Sequence, residues 1–229
     1  MFFFLLLLSL STSAQPVRSV LLDAGHGGKD PGAVRAGVYE KDITLPVVLK
    51  LGGYIETYLP GIEVHYTRKT DNWVSLGRRV RLANQKKVDV MVSVHVNAAR
   101  SVSAVGTETY VYGNPIRAWA EGSQEYFTIQ MENEPLGDET KIKEMLAGLE
   151  VKRTSSLSYS LAEEVQAQYR DRMHKKDRGV KKTNRLYIIN GTRMPVVLTE
   201  IGFLSNATER AYMQKRLSQS YYASAIYRA

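Results

Sequence analysis

The chain alternates short apolar runs with longer amphipathic stretches, and glycine, proline and clustered charges punctuate them. Arg18–Asp23 (RSVLLD) is a short apolar run ending in the glycine-rich turn Ala24–Gly28, the pattern of a buried strand. From Ile43 to Leu59 apolar residues recur at helical spacing, with Pro60-Gly61 as the stop. Pro46 fits only the first turn of such a helix, because deeper in it removes a hydrogen bond and crowds the preceding turn, so the helix is expected to start after Asp42. Ile62–Thr67 alternates Ile62, Val64 and Tyr66 and predicts a strand; Val74–Gln85 predicts an Arg-rich amphipathic helix. Val88–Val96 (VDVMVSVHV) is almost continuously apolar, as a central strand requires. Thr107–Tyr112 predicts a strand, Ser156–Met173 a helix, Leu186–Ile189 and Pro195–Ile201 two strands, and Ala207–Leu217 a closing helix that Tyr221–Tyr227 continues. Strands alternating with helices predict an α/β fold: a single domain with a twisted, mostly parallel sheet flanked by helices. Asn114–Ser155 breaks the rhythm and is expected to be a helical insertion.

The first residues follow a different logic. Phe2–Leu8 are seven consecutive apolar residues, followed by small and polar ones through Ala14. A run of about ten apolar residues is half of what a bilayer span needs, and it fits the core of a secretory signal peptide cleaved after Ala14. No Lys or Arg precedes it. The expected layout is therefore a signal peptide over 1–14 and one domain over 17–229 carrying the inserted segment 114–155. The expected location is the periplasm or the exterior of a bacterium, without stable membrane insertion.

Composition narrows the chemistry. There is no cysteine, which excludes disulfides, thiolate zinc sites, iron–sulfur clusters and cysteine nucleophiles. Thirty-one Lys and Arg against 23 Asp and Glu give a net charge of +8, which favours an anionic partner. The charge is uneven. Asn114–Glu150 holds eight acidic and three basic residues, a net of −5, which leaves +13 on the remainder. An acidic arm on a basic body is expected to fold back onto it. Export argues against nucleic acid as the partner and for the anionic cell wall.

Sites in open α/β sheets lie at the carboxyl ends of strands. His26 follows the first predicted strand in AGHGG, His95 closes the central strand in SVHVNA, and Glu200 closes a late strand in PVVLTE. Glu40, fourteen residues after His26 and just ahead of the first helix, reaches the same edge. Two histidines and a carboxylate make a catalytic zinc shell with a position open for water. A further carboxylate must take that water's proton and deliver it to the leaving group, and Glu200, costly on an apolar strand unless used, is the candidate. His65 in mid-strand and His174 in a basic run read as bystanders, and Asp23 and Asp30 as turn formers. AGHGG lacks the glycine spacings of a phosphate-cradling loop.

Six blocks occur in order: LLDAGHGGKDPGA, YEKDITL, LANQKKVDVMVSVHVNA, GTETYVYG, DRGVK and MPVVLTEIGFLSN. Together they resemble the zinc-dependent N-acetylmuramoyl-L-alanine amidases of bacterial cell separation. The resemblance runs from about Val17 to the end of the chain, apart from the insertion. It implies one zinc ion bound by His26, Glu40 and His95, with Glu200 as the catalytic carboxylate. It also implies hydrolysis of the amide between N-acetylmuramic acid and the L-alanine of the peptidoglycan stem. Asn97, two residues after His95, matches the family's HxN and is a candidate substrate-binding or supporting group. Arg78 and Asn84 match an Arg…Ala-Asn pattern expected to tie a helix to the sheet. In some relatives a helix in the region of the insertion covers the zinc until an activator protein displaces it, which gives the acidic segment an expected autoinhibitory role. Pro46 departs from the family pattern just after Glu40. Two other readings stand beside this one: a zinc peptidase cutting within the stem, whose HExxH helix is missing here, and a wall-binding module without catalysis.

Overall fold

A computed structural model describes residues 17–113 and 138–229, with side chains described from 17 to 113 and from 153 to 229. The expected signal peptide and residues 114–137 of the expected insertion lie outside the described residues.

Six strands form one sheet in the order β4-β1-β5-β8-β6-β7. They are β1 Ser19–Ala24, β4 Glu63–Tyr66, β5 Val90–Asn97, β6 Thr107–Tyr112, β7 Asp177–Thr183 and β8 Val196–Phe203; β2 Val34–Arg35 and β3 Val38–Tyr39 form a separate two-residue ribbon. The run β4-β1-β5-β8 is parallel, β8 and β6 are antiparallel, and β6 and β7 are parallel again. The helices are α1 Lys41–Tyr58, α2 Leu76–Lys86, α3 Asp138–Met173, α4 Tyr187–Gly191, α5 Ala207–Met213 and α6 Arg216–Arg228. None of the described helices is long and apolar enough to cross a membrane.

The period-2 alternation of the strands sorts their side chains onto two faces. Val20, Leu22 and Ala24 of β1 and Val92, Val94 and Val96 of β5 pack with α1, α3 and α6 in the larger core. Leu21, Met91, Val196 and Leu198 face the other way, onto Val80 and Ala83 of α2 and Ile188 and Ile189 of α4. Burying each such aliphatic side chain stabilises the fold by about 1.5–3 kcal/mol before entropy is charged. Asp23, Ser93, His95 and Glu200 continue this second face beyond its apolar floor, at the carboxyl ends of three parallel strands.

Several expectations are corrected. Leu186–Ile189 belongs to a short helix, α4, rather than a strand. Four apolar residues fit either element, and here the helix packs Ile188 and Ile189 against Val80 and Ala83 of α2. Helix α1 starts at Lys41, two residues earlier than expected, so Pro46 sits in its second turn without ending it. The closing helix is two, because Lys215 turns extended at ψ 130° and lets α6 lay Tyr222, Ala223 and Ile226 into the core. Helix α3 is continuous from Asp138, so the predicted helix 156–173 starts earlier than expected and takes in residues 138–155. Strand β7 has no counterpart among the expected strands.

Candidate active site

The turn after β1 is held by buried charge. Asp23 is fully buried and accepts from Ser93 Oγ (2.6 Å), Thr67 Oγ1 (2.6 Å) and Arg79 Nη1 (2.5 Å). Burial opposes its ionisation, but Arg79, His95 and the hydroxyls prevail and hold it below the usual carboxylate range. Arg79 also donates to the carbonyls of Ala24 (2.7 Å) and His26 (2.6 Å), and Arg68 to those of Ala24 (3.0 Å) and Gly25 (2.9 Å). Asp23 is therefore a strand-end anchor rather than a turn former. The arginine that ties α2 to the sheet is buried Arg79, whereas its neighbour Arg78 is exposed. Asn84 ties α2 to the loop after α4 through Gly191 O (2.8 Å) and Arg193 N (3.1 Å).

This scaffold sustains His26 at φ +60°, a left-handed backbone costing about 1–2 kcal/mol for a residue with a Cβ. Two glycines give the rings room. A Cβ on Gly25 would lie 2.5 Å from the His95 ring, and one on Gly32, at φ +67°, would lie 2.6 Å from both Glu40 Oε2 and the His26 ring. Asp30 closes the turn by accepting from Gly32 N (3.1 Å), and its Oδ2 lies 2.9 Å from His26 Nδ1.

Glu40 sits at the N-cap of α1, where the helix dipole favours negative charge. It is 4% exposed. Its Oε1 accepts from Val96 N (2.9 Å) and lies 2.9 Å from His95 Nδ1; its Oε2 accepts from Ala33 N (2.8 Å) and lies 3.2 Å from His26 Nε2. The two imidazoles meet edge to face, with centroids 5.0 Å apart. One ligand atom from each of His26, Glu40 and His95 lies within 4.8 Å of the others, the one such cluster among the described residues. A tetrahedral ion with bonds of about 2.1 Å holds its ligands about 3.4 Å apart, so the donor set and spacing fit zinc. Charge fits as well. Burial lowers the pKa of His26, but hydrogen bonding and the charge of Glu40, then Asp30, outweigh it and raise it to about 9. His95 is raised for the same reason, and Glu40 is driven well below the usual carboxylate range against the effect of its own burial. The pocket stabilises positive charge at its centre, which protons or a cation can supply.

Glu200 lies beside this cluster, in register with His95 on β5 and with Glu108 on β6. Its Oε2 is buried with no hydrogen-bond partner among the described residues. Burial pushes its pKa up to about 8; the charges of Glu40 and Glu108 add to this, against the pull of His95. A carboxyl poised near neutrality is suited to taking and returning a proton, and a nearby dication would draw the value down. His65 stands apart on β4 against Glu63 (3.2 Å), and His174 follows α3 at φ +52°.

On the far side of Glu200 lies a group that sequence pattern does not reveal. Glu108, 4% exposed, accepts from Asn97 Nδ2 (2.6 Å), Tyr110 Oη (2.7 Å) and Arg178 Nε (2.9 Å). Asn97 also accepts from Ala98 N (2.7 Å). Asn97 thus stands between His95 and Glu108, on the same face of the sheet as Glu200. The block GTETYVYG holds the one available signal, an acid where strand alternation places it in line with Glu200.

Asp30 offers a direct test of whether the His26–Glu40–His95 cluster holds a metal, since it is partly exposed and supports His26. Asp30→Ala is expected to weaken metal affinity about 10- to 100-fold with little change in melting temperature. Competition with a chromogenic chelator measures it.

A mostly parallel α/β sheet that carries a His–Glu–His cluster able to hold a metal, with a carboxyl whose Oε2 is buried without a partner beside it, has the groups a hydrolase requires. Residues 20–229 match the N-acetylmuramoyl-L-alanine amidase family, and the chain belongs to it and is an amidase of that class. It is 31% identical over 216 residues to YqiI of Bacillus subtilis, covering 93% of this chain and 84% of that protein. It is 29% identical over 231 residues to the probable N-acetylmuramoyl-L-alanine amidase AmiB of Haemophilus influenzae, covering 96% of this chain and about half (52%) of that longer protein. The crystal structure of an N-acetylmuramoyl-L-alanine amidase from Clostridium difficile 630, 27% identical, aligns with a TM-score of 0.70 over 92% of this chain and 93% of that one.

Proposed function

We propose that the chain hydrolyses the amide between the lactyl group of N-acetylmuramic acid and the L-alanine of the peptidoglycan stem, with one zinc ion held by His26, Glu40 and His95 and with Glu200 as the catalytic carboxylate. The observation that carries this reading is the register of His95 with Glu200, which sets a buried partnerless carboxyl beside three converging metal-type donors. Zinc, when bound, polarises the scissile carbonyl and acidifies a water molecule. Glu200 takes the proton from the attacking water and returns it to the leaving L-alanine amine, so that one carboxyl serves as base and then acid. Asp30 holds His26, and Glu40 fixes both rings against the backbone of Ala33 and Val96, so the ligands are set before substrate arrives. Asn97 and Glu108 border the substrate path beyond Glu200.

Export through the N-terminal signal would place this activity in the periplasm or outside the cell, where cell separation requires it. A covering role for the acidic segment, relieved by an activator protein, extends the proposal; higher activity on removal of 114–150 is the result that supports it, and unchanged or lower activity in a folded protein ends it.

Digestion of purified peptidoglycan with products read by mass is the direct test. Intact stem peptides with a free L-alanine amine are expected, abolished by a chelator and restored by zinc. Cuts within the stem would favour the peptidase reading, and no products a wall-binding module.

A further inference from the structure

We propose that Arg178 is a specificity-determining residue of this site, and that it receives a free carboxylate of the stem peptide on the amine side of the scissile bond. The assignment rests on the amidase reading above and deepens it.

Arg178 reaches the site through an irregularity in the sheet. Strands β6 and β7 pair Thr107 with Asp177 and Thr109 with Val180, so Arg178 and Gly179 together stand opposite the single residue Glu108. This is a β-bulge, and Gly179 takes φ +80°, which a residue with a Cβ rarely adopts. Two residues beyond Arg178, Val180 packs into the larger core on the face away from the site. Regular alternation would send Arg178 to that same face. The extra residue turns it to the catalytic face, where its Nε donates to Glu108 Oε2 at 2.9 Å. Bulges recur beside active sites because they re-aim one side chain in this way.

Once there, the guanidinium is fixed but not used up. Its carbon lies 4.8 Å from the centre of the ring of buried Phe203, and Glu108 binds it from the Nε side. The side chain stays 34% exposed, and its two terminal nitrogens have no hydrogen-bond partner among the described residues. An arginine held at Nε presents the end-on pair of donors that matches a carboxylate bidentately.

The order of groups across the sheet says which part of the substrate meets it. Along β5, β8, β6 and β7 stand His95, Glu200, Glu108 and Arg178. The scissile carbonyl belongs at the His26–Glu40–His95 end. Glu200 hands its proton to the leaving amine, so the amine and the peptide attached to it lie beyond Glu200, toward Arg178. The lactyl carboxyl of the muramic acid is consumed in the amide being cut, which leaves free carboxylates only on the peptide side.

The test uses two N-acetylmuramoyl peptides, capped at the C-terminus and differing only in whether the second stem residue carries a free carboxylate or a carboxamide. The zinc-loaded wild type is expected to prefer the carboxylate by about 10- to 100-fold in kcat/KM. In Arg178→Gln that ratio falls to near one, through KM, and Arg178→Lys, which keeps the charge without the fork, is intermediate. If Arg178→Gln fails to fold because Glu108 is left unpaired, the double variant Arg178→Gln/Glu108→Gln carries the comparison, and the wild-type preference stands as a test without any substitution. Equal cleavage of the two substrates by wild type, or a ratio unchanged in the variant, overturns the assignment while leaving the amidase reading intact. Cleavage of neither substrate overturns both.

Discussion

Glu200→Gln is expected to lower kcat about 10³-fold while the protein still binds one zinc ion per chain. Glutamine keeps the shape and the burial but can neither take nor return a proton. The three metal-type donors are untouched, because Glu200 makes no hydrogen bond to any of them. Metal analysis after dialysis, alongside turnover, decides the matter: if zinc is lost together with activity, Glu200 is a ligand and its assigned role is wrong. The same substitution has a second consequence in the metal-free protein. The folded-state pKa of about 8 lies above the ordinary 4.5, so the folded protein keeps a proton that the unfolded chain has released between those values. Stability from this group is therefore complete below pH 4.5, declines as pH rises to 8, and is constant above. The substituted glutamine cannot ionise, so the metal-free variant should be the more stable of the two at pH 8, by about 1–3 kcal/mol for this half-buried group, and the two should converge near pH 4. Urea melts at the two pH values measure it. Function is here stored as instability, as expected for a carboxyl oxygen buried without a partner beside other carboxylates.

What can be read from the sequence follows from where polarity interrupts apolar pattern. His26, His95 and Glu200 each end an apolar run that strand periodicity identifies, so their placement at one edge of a parallel sheet is legible from the residues alone. Glu40 is legible because it precedes a helix whose apolar stripe is plain. The groups that escape such a reading sit where periodicity carries no information. DRGVKKT is too polar to read as a strand, yet a charged edge strand is a normal way to guard a sheet. Its bulge depends on one glycine, and the pairing of Arg178 with Glu108 spans seventy residues that no local pattern connects. Arg78 and Arg79 are indistinguishable by type. Only the rotation of α2 against the sheet buries the second and leaves the first in solvent. The helix at Tyr187–Gly191 reads as a strand for a related reason, since its few apolar residues are too few to show a period.

Glu40→Gln should separate metal binding from catalysis in the opposite sense to Glu200→Gln. The carboxylate of Glu40 meets two backbone donors, Ala33 N and Val96 N, and both imidazoles. A carboxamide offers one acceptor oxygen and turns an NH₂ group toward the other donors. One backbone N–H is then left unpaired in a buried place, at a cost of about 1–3 kcal/mol. The charge that balances a dication is lost as well, so zinc affinity should fall at least about 100-fold and activity with it. The histidines report on the cause. In the wild type Glu40 raises the pKa of both against the effect of burial. With that charge removed, burial opposes a weaker pull from Glu200 and Asp23, so the pKa of His95 should fall from its raised position. Zinc content, chelator competition and histidine titration by NMR together test this. A variant that retains its zinc but is inactive would show that Glu40 is not a ligand.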